Sequence, residues 1–306
     1  MAARELIVIL LLSYAPFAQG VRVPGTSVAL EPPAGFTPAT RFTGFERADV
    51  QGSIMVTEIP GPFASVSAGM NASGLASRGM TLLSSAKRQV DGRPALLLSV
   101  TQAANGIEFM KWMLVTGDAK RTVMVVATFP KQSEAELSEP MRAAVLSTHS
   151  TVAAPTDAFE GLAFRVTPSA TLKIAGRMNN MLMLTESGTM GPHGPDAAVF
   201  FVGTSVSTVS IADLKAFAAT RAQQTTQLKG IRISRQAETT IGASPAHEIV
   251  ADGTDAATGR SVTLYQIVVP DEGGYVVMQG LVASSRAATM VPEFRRIANS
   301  YRRGAR

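Results

Sequence analysis

The chain has 306 residues, 46% of them apolar, a formal net charge of +5 and no cysteine. That last absence excludes structural disulfides, thiolate nucleophiles and zinc–thiolate clusters. The charge is evenly spread, with 12 basic against 10 acidic residues in 21–155 and 15 against 12 in 156–306. This evenness argues against a dedicated nucleic-acid arm.

The chain opens MAARELIVILLLSYAPFAQG. Arg4 precedes an apolar run at 6–12, and Ala18 and Gly20 stand at the −3 and −1 positions of a cut before Val21. Residues 1–20 therefore read as a secretory signal peptide, too short for an ordinary membrane span. The competing reading is a buried N-terminal helix, but the polar, proline-bearing sequence that follows does not continue one. No cysteine follows the run, so no lipid anchor is expected. The expectation is an exported protein, periplasmic or secreted, and soluble after signal cleavage.

The mature chain is written twice. The first half, 21–149, begins with strand-like VRVPGTSVALEPP and FTGFERADV, then SIMVTEI, rich in β-branched residues. A loose helix follows, marked by Phe63, Val66 and Met70. Next, TLLSSAKRQV turns at Asp91-Gly92 into RPALLLSV, and EFMKWMLVT turns at Gly117-Asp118 into RTVMVVATF. A closing helix carries a capping box, Ser133 with Glu136, and an apolar stripe of Leu137, Met141 and Val145. A polar linker, STVAAPTD, spans 150–157.

The second half, 158–306, repeats the order. LAFRVTPS, TLKIAGRM and AVFFVGTSV precede a helix expected to be capped by Ser210, with Leu214, Phe217 and Ala218 on one face. Turns follow at Gly242, DGTDAATG and PDEGG, and Met290, Phe294, Ile297 and Tyr301 mark the closing helix. Pro94 and Pro245 align at an offset of 151, as do Met141 with Pro292 and Leu146 with Ile297; upstream the offset is nearer 145. The expected fold is α+β: two tandem similar domains, each a mainly antiparallel sheet covered by two helices.

This element order, with the opening VALEPPAGF, resembles the PsbP-like and DcrB-like α-β-α sandwiches, most clearly over 21–149. The second half has AFRVTPSATL in place of the Pro-Pro-x-Gly-Phe words. The resemblance implies a non-enzymatic binding or assembly role and carries over no functional residue.

Catalytic motifs are weak throughout. In SPAHEIVADG, His247 and Glu248 are adjacent strand residues and must point to opposite faces. His149 and His193 have no histidine at metal-ligand spacing. GMNASG and GLASRG miss Gly-x-Ser-x-Gly. TGDAKRT lacks the Gly-Lys pair of a phosphate loop, and DGTDAATG lacks the alternating ligands of a calcium loop. No catalytic, cofactor or metal residue is assigned, and no cofactor is expected. The NAS word at Asn71 falls inside an expected helix. Fourteen methionines, three of them in RMNNMLML, fit core filling or an adaptable partner surface. The tail EFRRIANSYRRGAR fits a helix C-terminus or a membrane-surface contact.

These features point to a non-catalytic accessory protein that binds a protein partner or envelope component of unknown identity. The alternative is an enzyme with a site at the inter-domain interface. A pocket there with converging ionisable groups would favour the enzyme, and an apolar, methionine-lined patch would favour partner binding.

Overall fold

The computed structural model describes residues 20–104, 106–151, 157–191, 194, 196–206 and 208–304. Positions 1–19 of the expected leader, 152–156 of the expected linker, and His193 lie outside the described residues.

In the first half, β1 (Val21–Arg22), β2 (Val28–Leu30), β3 (Thr37–Pro38), β4 (Gly44–Arg47) and β5 (Gly52–Pro60) precede two short helices, α1 (Phe63–Ala68) and α2 (Ala72–Ala76). Four long strands follow: β6 (Met80–Val90), β7 (Arg93–Ala104), β8 (Ile107–Gly117) and β9 (Arg121–Pro130). Then come α3 (Glu134–Leu146) and β10 (His149–Ser150). The second half has β11 (Phe164–Arg165), β12 (Lys173–Met178), β13 (Met181–Thr185), β14 (Val199–Thr204) and α4 (Leu214–Gln223). It continues with β15 (Leu228–Ile241), β16 (Ser244–Asp255), β17 (Ser261–Asp271) and β18 (Gly274–Ala283), and ends with α5 (Ala287–Asn299) and β19 (Arg302–Arg303).

The strands form two seven-stranded antiparallel sheets, ordered β3-β4-β5-β9-β8-β7-β6 and β12-β13-β14-β18-β17-β16-β15. The two orders correspond position by position, and each sheet draws all its strands from one half. Two small sheets, β1-β2-β10 and β11-β19, bring together the ends of each half.

Turn chemistry sets the register. Asp91 (φ 52°) and Gly92 (φ 69°) both take the left-handed conformation that a two-residue hairpin needs, so Val90 faces Arg93. Ile241 faces Ser244 across a two-residue turn in which Gly242 alone has a positive φ, 58°. Strands β7 and β16 start and end 151 residues apart, but α3 and α5 are offset by 153. The 151 spacing expected for the closing helices is therefore corrected. Two positions separate β7 from β8 where five separate β16 from β17, and three separate β8 from β9 where two separate β17 from β18.

The closing helices cover one face of each sheet. Leu137, Met141 and Val145 of α3 bury against Phe45, Ile54, Leu114 and Phe129. Met290, Phe294 and Ile297 of α5 bury against Phe200, Tyr265 and Met278, with Phe294 stacked on Phe200 at 5.4 Å. On the opposite faces, Leu75 of α2 meets Leu98, Val100 and Met113, and Ala218 and Ala222 of α4 meet Ile249, Ala251 and Leu264.

Several local expectations are corrected. The loose first-half helix is two pieces, because Asn71 caps a new start: its Oδ1 accepts from Gly74 N at 2.9 Å and its Nδ2 donates to Ala68 O. The cover of two helices per half thus does not hold in the first. Ser133 makes no side-chain cap, since a 3₁₀ turn at Lys131–Ser133 runs straight into α3 and gives Ser133 a φ of −96° and ψ of 13°. In α4 the cap is Asp213, which accepts from Ala216 N at 3.0 Å, instead of Ser210.

Candidate functional site

Adjacent strand residues separate as the pleat requires. His247 is buried toward α4, 2% exposed, with Nε2 3.4 Å from Gln236 Oε1. Burial lowers its pKa, with Glu238 opposing and Lys215 adding to the effect, so the ring is neutral. Glu248 points the other way, toward α5. Arg295 donates to both its oxygens, at 2.7 and 2.8 Å, and Arg235 to Oε1 at 3.0 Å. Burial alone would raise this carboxyl, but the two guanidinium groups bring it below the usual carboxylate range. The buried Tyr265 hydroxyl lies beside this charge; burial and then Glu248 push its pKa up. Both carboxylate oxygens are engaged, and Glu248 ties α5 to the sheet.

The seam between the halves is polar. Arg177 of β12 donates to Thr43 Oγ1 at 2.8 Å and to the Glu160 carbonyl. Thr43 N donates to Asn179 Oδ1 at 3.0 Å, and Arg41 donates to the carbonyls of Glu272 (2.6 Å) and Gly273 (2.8 Å). Gly25 (φ 73°) leaves no room for a Cβ where the Arg177 guanidinium packs. A cleft of about 610 Å³ opens here, lined by Pro38, Asp157, Phe159, Glu160, Leu162 and Arg165. Its ionisable groups converge on partners: Asp157 pairs with Arg165, and Glu160 with Arg22. Arg165 also lies over the Phe159 ring at 5.1 Å. The Phe159 N–H and Arg165 hold Asp157 below its usual pKa.

A second cavity, about 630 Å³, lies on the first sheet between α1 and the β6–β7 hairpin. Phe63, Ala64 and Ala68 of α1 form one wall, Lys87 and Gln89 of β6 the other, and Leu96 of β7 lies in the floor. Cross-strand register explains the grouping, because Lys87 pairs with Leu96 and both face α1. The same face continues across the sheet through Leu98, Met113, Val126 and Met124, with Met70 and Met80 packed beside it. Lys111 shares it, donating to Thr128 Oγ1 at 3.2 Å, and burial lowers its pKa. Four of the fourteen methionines, Met70, Met80, Met113 and Met124, lie on this face, whereas Met110, Met141, Met278 and Met290 fill the cores under the closing helices, as the core-filling reading expects. In sequence this site leaves little trace, since α1, β6 and β7 bring together alanines, a lysine and a leucine that form no motif.

The remaining candidates disperse. His149 Nδ1 lies 2.9 Å from Ser147 O. Among the described residues no three acidic, histidine or cysteine side chains could hold a metal, and no helix is long and apolar enough to cross a membrane. Among the described residues three of the tail's arginines are paired with acids: Arg295 with Glu248, Arg296 with Glu293 one turn away on α5, and Arg303 with Asp271 and Glu272. Arg302 donates to the Tyr301 and Asn299 carbonyls.

The chain matches no family model and no curated protein. Among solved structures it is similar to LpqN of Mycobacterium tuberculosis, involved in cell envelope biogenesis. The identity is 16%, covering 45% of this chain and 81% of that one, at a TM-score of 0.32. It is also similar to TplEi, an immunity protein of T6SS from Pseudomonas aeruginosa: 12% identity, 88% of this chain and 96% of that one, TM-score 0.33. A chain of the Tle4-Tli4 complex gives 12% identity, 86% and 94% coverage, and a TM-score of 0.35. Likenesses at these TM-scores carry no functional argument.

Proposed function

We propose that this protein is an exported, non-catalytic binding or accessory protein, periplasmic or secreted, whose partner surface is the groove between α1 and β6. In this reading residues 21–149 and 158–306 are duplicated units of the PsbP-like sandwich type, joined by 150–157. The groove carries the proposal. It is of ligand-binding size, has an apolar floor and wall, and lies on the sheet face where Met70, Met80 and Met124 remain half-buried beside the part covered by α2. At the seam, by contrast, the acids are already paired with arginines.

The test is site-specific photocrosslinking in the native envelope fraction. A photoreactive residue at Ala68, in the groove, is expected to yield a discrete adduct that Leu96→Asp abolishes. The same group at Glu139, on α3, yields none. Equal labelling from both positions, or an adduct that survives Leu96→Asp, sinks the reading.

A further inference from the structure

The groove is bounded by an open sheet edge. Strand β6 is the outermost strand of the first sheet, 11 residues long, and among the described residues pairs only with β7. The opposite edge, β3, is two residues long and ends in proline, a protected edge. At β6 the register slips between Leu82 and Ser84, and the residue in between, Leu83, is 54% exposed. A large apolar side chain on an open edge is what a partner would cover.

The charge on this edge has one sign. Residues 78–90 contain Arg78, Lys87 and Arg88 and no acid. Among the described residues none of the three belongs to an ion pair, although arginines across the rest of the fold mostly do. Lys87 and Arg88 point to opposite faces of the strand, so a neighbouring strand could meet one on each face. The corresponding edge of the second sheet differs. On β15, Arg235 is bound to Glu248 and Glu238 breaks the single sign, while among the described residues each edge has one carbonyl held by a side chain, Lys87 O by Arg88 at 3.0 Å and Ile231 O by Gln223 at 3.3 Å.

We propose that β6 accepts an extended acidic segment of a partner protein as an eighth strand of the first sheet. Backbone groups of the open edge supply the pairing. The segment's apolar side chains cover Leu83 and enter the groove beside α1, and its carboxylates meet Lys87 and Arg88. A second copy of this chain is a poor occupant, because β6 against β6 sets like charges together. The proposal rests on the groove reading and adds the chemistry and mode of its occupant.

The probe is a fluorescein-labelled peptide, Glu-Val-Ile-Val-Glu-Asp-Val-Ile-Glu, whose central Glu-Asp pair puts one carboxylate on each face, followed by fluorescence anisotropy with the full-length mature protein. Binding is expected to weaken by about tenfold or more in K87E/R88E, and likewise when the acids of the peptide are replaced by lysine. The same charge reversal on β15, K229E/R232E, leaves binding unchanged. Methylating alternate backbone nitrogens of the peptide abolishes binding in one phase only, since a strand offers every second N–H to its neighbour. Equal binding by both methylated phases overturns strand addition, as does equal loss in the β6 and β15 variants. If Ala68 crosslinks a partner while the peptide fails to bind, the groove reading stands and the acidic strand falls. Without peptide binding, sedimentation with phosphatidylglycerol vesicles that K87E/R88E abolishes would replace the protein segment with a lipid surface.

Discussion

Gly280 on β18 and Phe294 on α5 share one space: a Cβ built on Gly280 would lie 2.6 Å from Phe294 Cγ and Cε2. At the closing-helix offset of 153, the first-half counterparts are Ala127 on β9 and Met141 on α3, both fully buried. The second half combines glycine with a ring, and the first a methyl group with a slimmer, flexible side chain. Ala127 and Met141 belong to one buried cluster under α3, as Phe294 and the sheet residues around Gly280 do under α5.

The pair makes the duplication testable by exchange. Gly280→Ala alone overpacks the contact and should cost about 1–3 kcal/mol, lowering Tm by roughly 2–4 °C per kcal/mol. Adding Phe294→Met copies the first-half pair and should recover more than half of the loss, despite the smaller side chain. Thermal melts of the wild type and the two variants decide this. A double variant less stable than Gly280→Ala would show that the two contacts are not equivalents.

Glu248 gives a prediction in pH. Its folded-state pKa lies below the usual value, so its stabilising contribution is present above the unfolded carboxylate range, near 4.3, and is lost as pH falls through the lower folded value. Glu248→Gln should flatten the part of the acid-stability curve that lies below about pH 4.3. Arg295→Ala leaves the buried carboxylate with Arg235 alone, which is 60% exposed, and should cost about 3 kcal/mol at neutral pH. Urea unfolding from pH 2.5 to 7 reads both. Parallel curves for wild type and Glu248→Gln would refute the assignment.

The sheets were legible in the sequence because their turns carry strong local chemistry. Asp91-Gly92 and Gly242 need positive φ, and alternating apolar residues on either side set the faces. Helix starts were less legible. Ser133 and Ser210 look like caps, but a 3₁₀ turn precedes α3 and Asp213 outcompetes Ser210. Pro140 and Pro292, inside α3 and α5, argue against a helix locally, yet the buried stripes around them prevail. The groove was illegible because Ala68, Lys87 and Leu96 meet only through the α1–sheet packing and the β6–β7 register. The fates of His247 and Glu248 followed from the pleat, but the arginines around Glu248 come from β15 and α5, and no spacing rule reaches that far.

If the protein is exported as proposed, the processed chain begins at Val21, the first residue of β1, which pairs with Leu30. A cut there keeps the β1–β2 pair whole, whereas a cut two residues later would remove it. Intact-mass measurement of the envelope-fraction protein should give the mass of residues 21–306. A mass that retains residues 1–20 would refute processing at this position.

The seam supplies the last prediction. Arg177 is half-buried between the halves, and burial lowers its pKa without removing its charge. It donates across the seam to Thr43 and, within its own half, to the carbonyls of Glu160 and Asn179 at the cleft wall. Arg177→Met keeps most of the volume but withdraws every donor, leaving three acceptors without this partner and the Gly25 backbone without its packing. At about 1 kcal/mol for each net hydrogen bond, the loss should be about 2–3 kcal/mol. It should fall on the coupling between the halves, since interfaces of this polar kind default to relative motion. Calorimetry is therefore expected to show one transition for the wild type and two for Arg177→Met. Arg142→Met, which removes an exposed pair with Glu139 on α3, should leave the single transition in place. A single, equally sharp transition in Arg177→Met would mean that the remaining Arg22–Glu160, Arg41 and Asn179 contacts suffice to couple the two sheets.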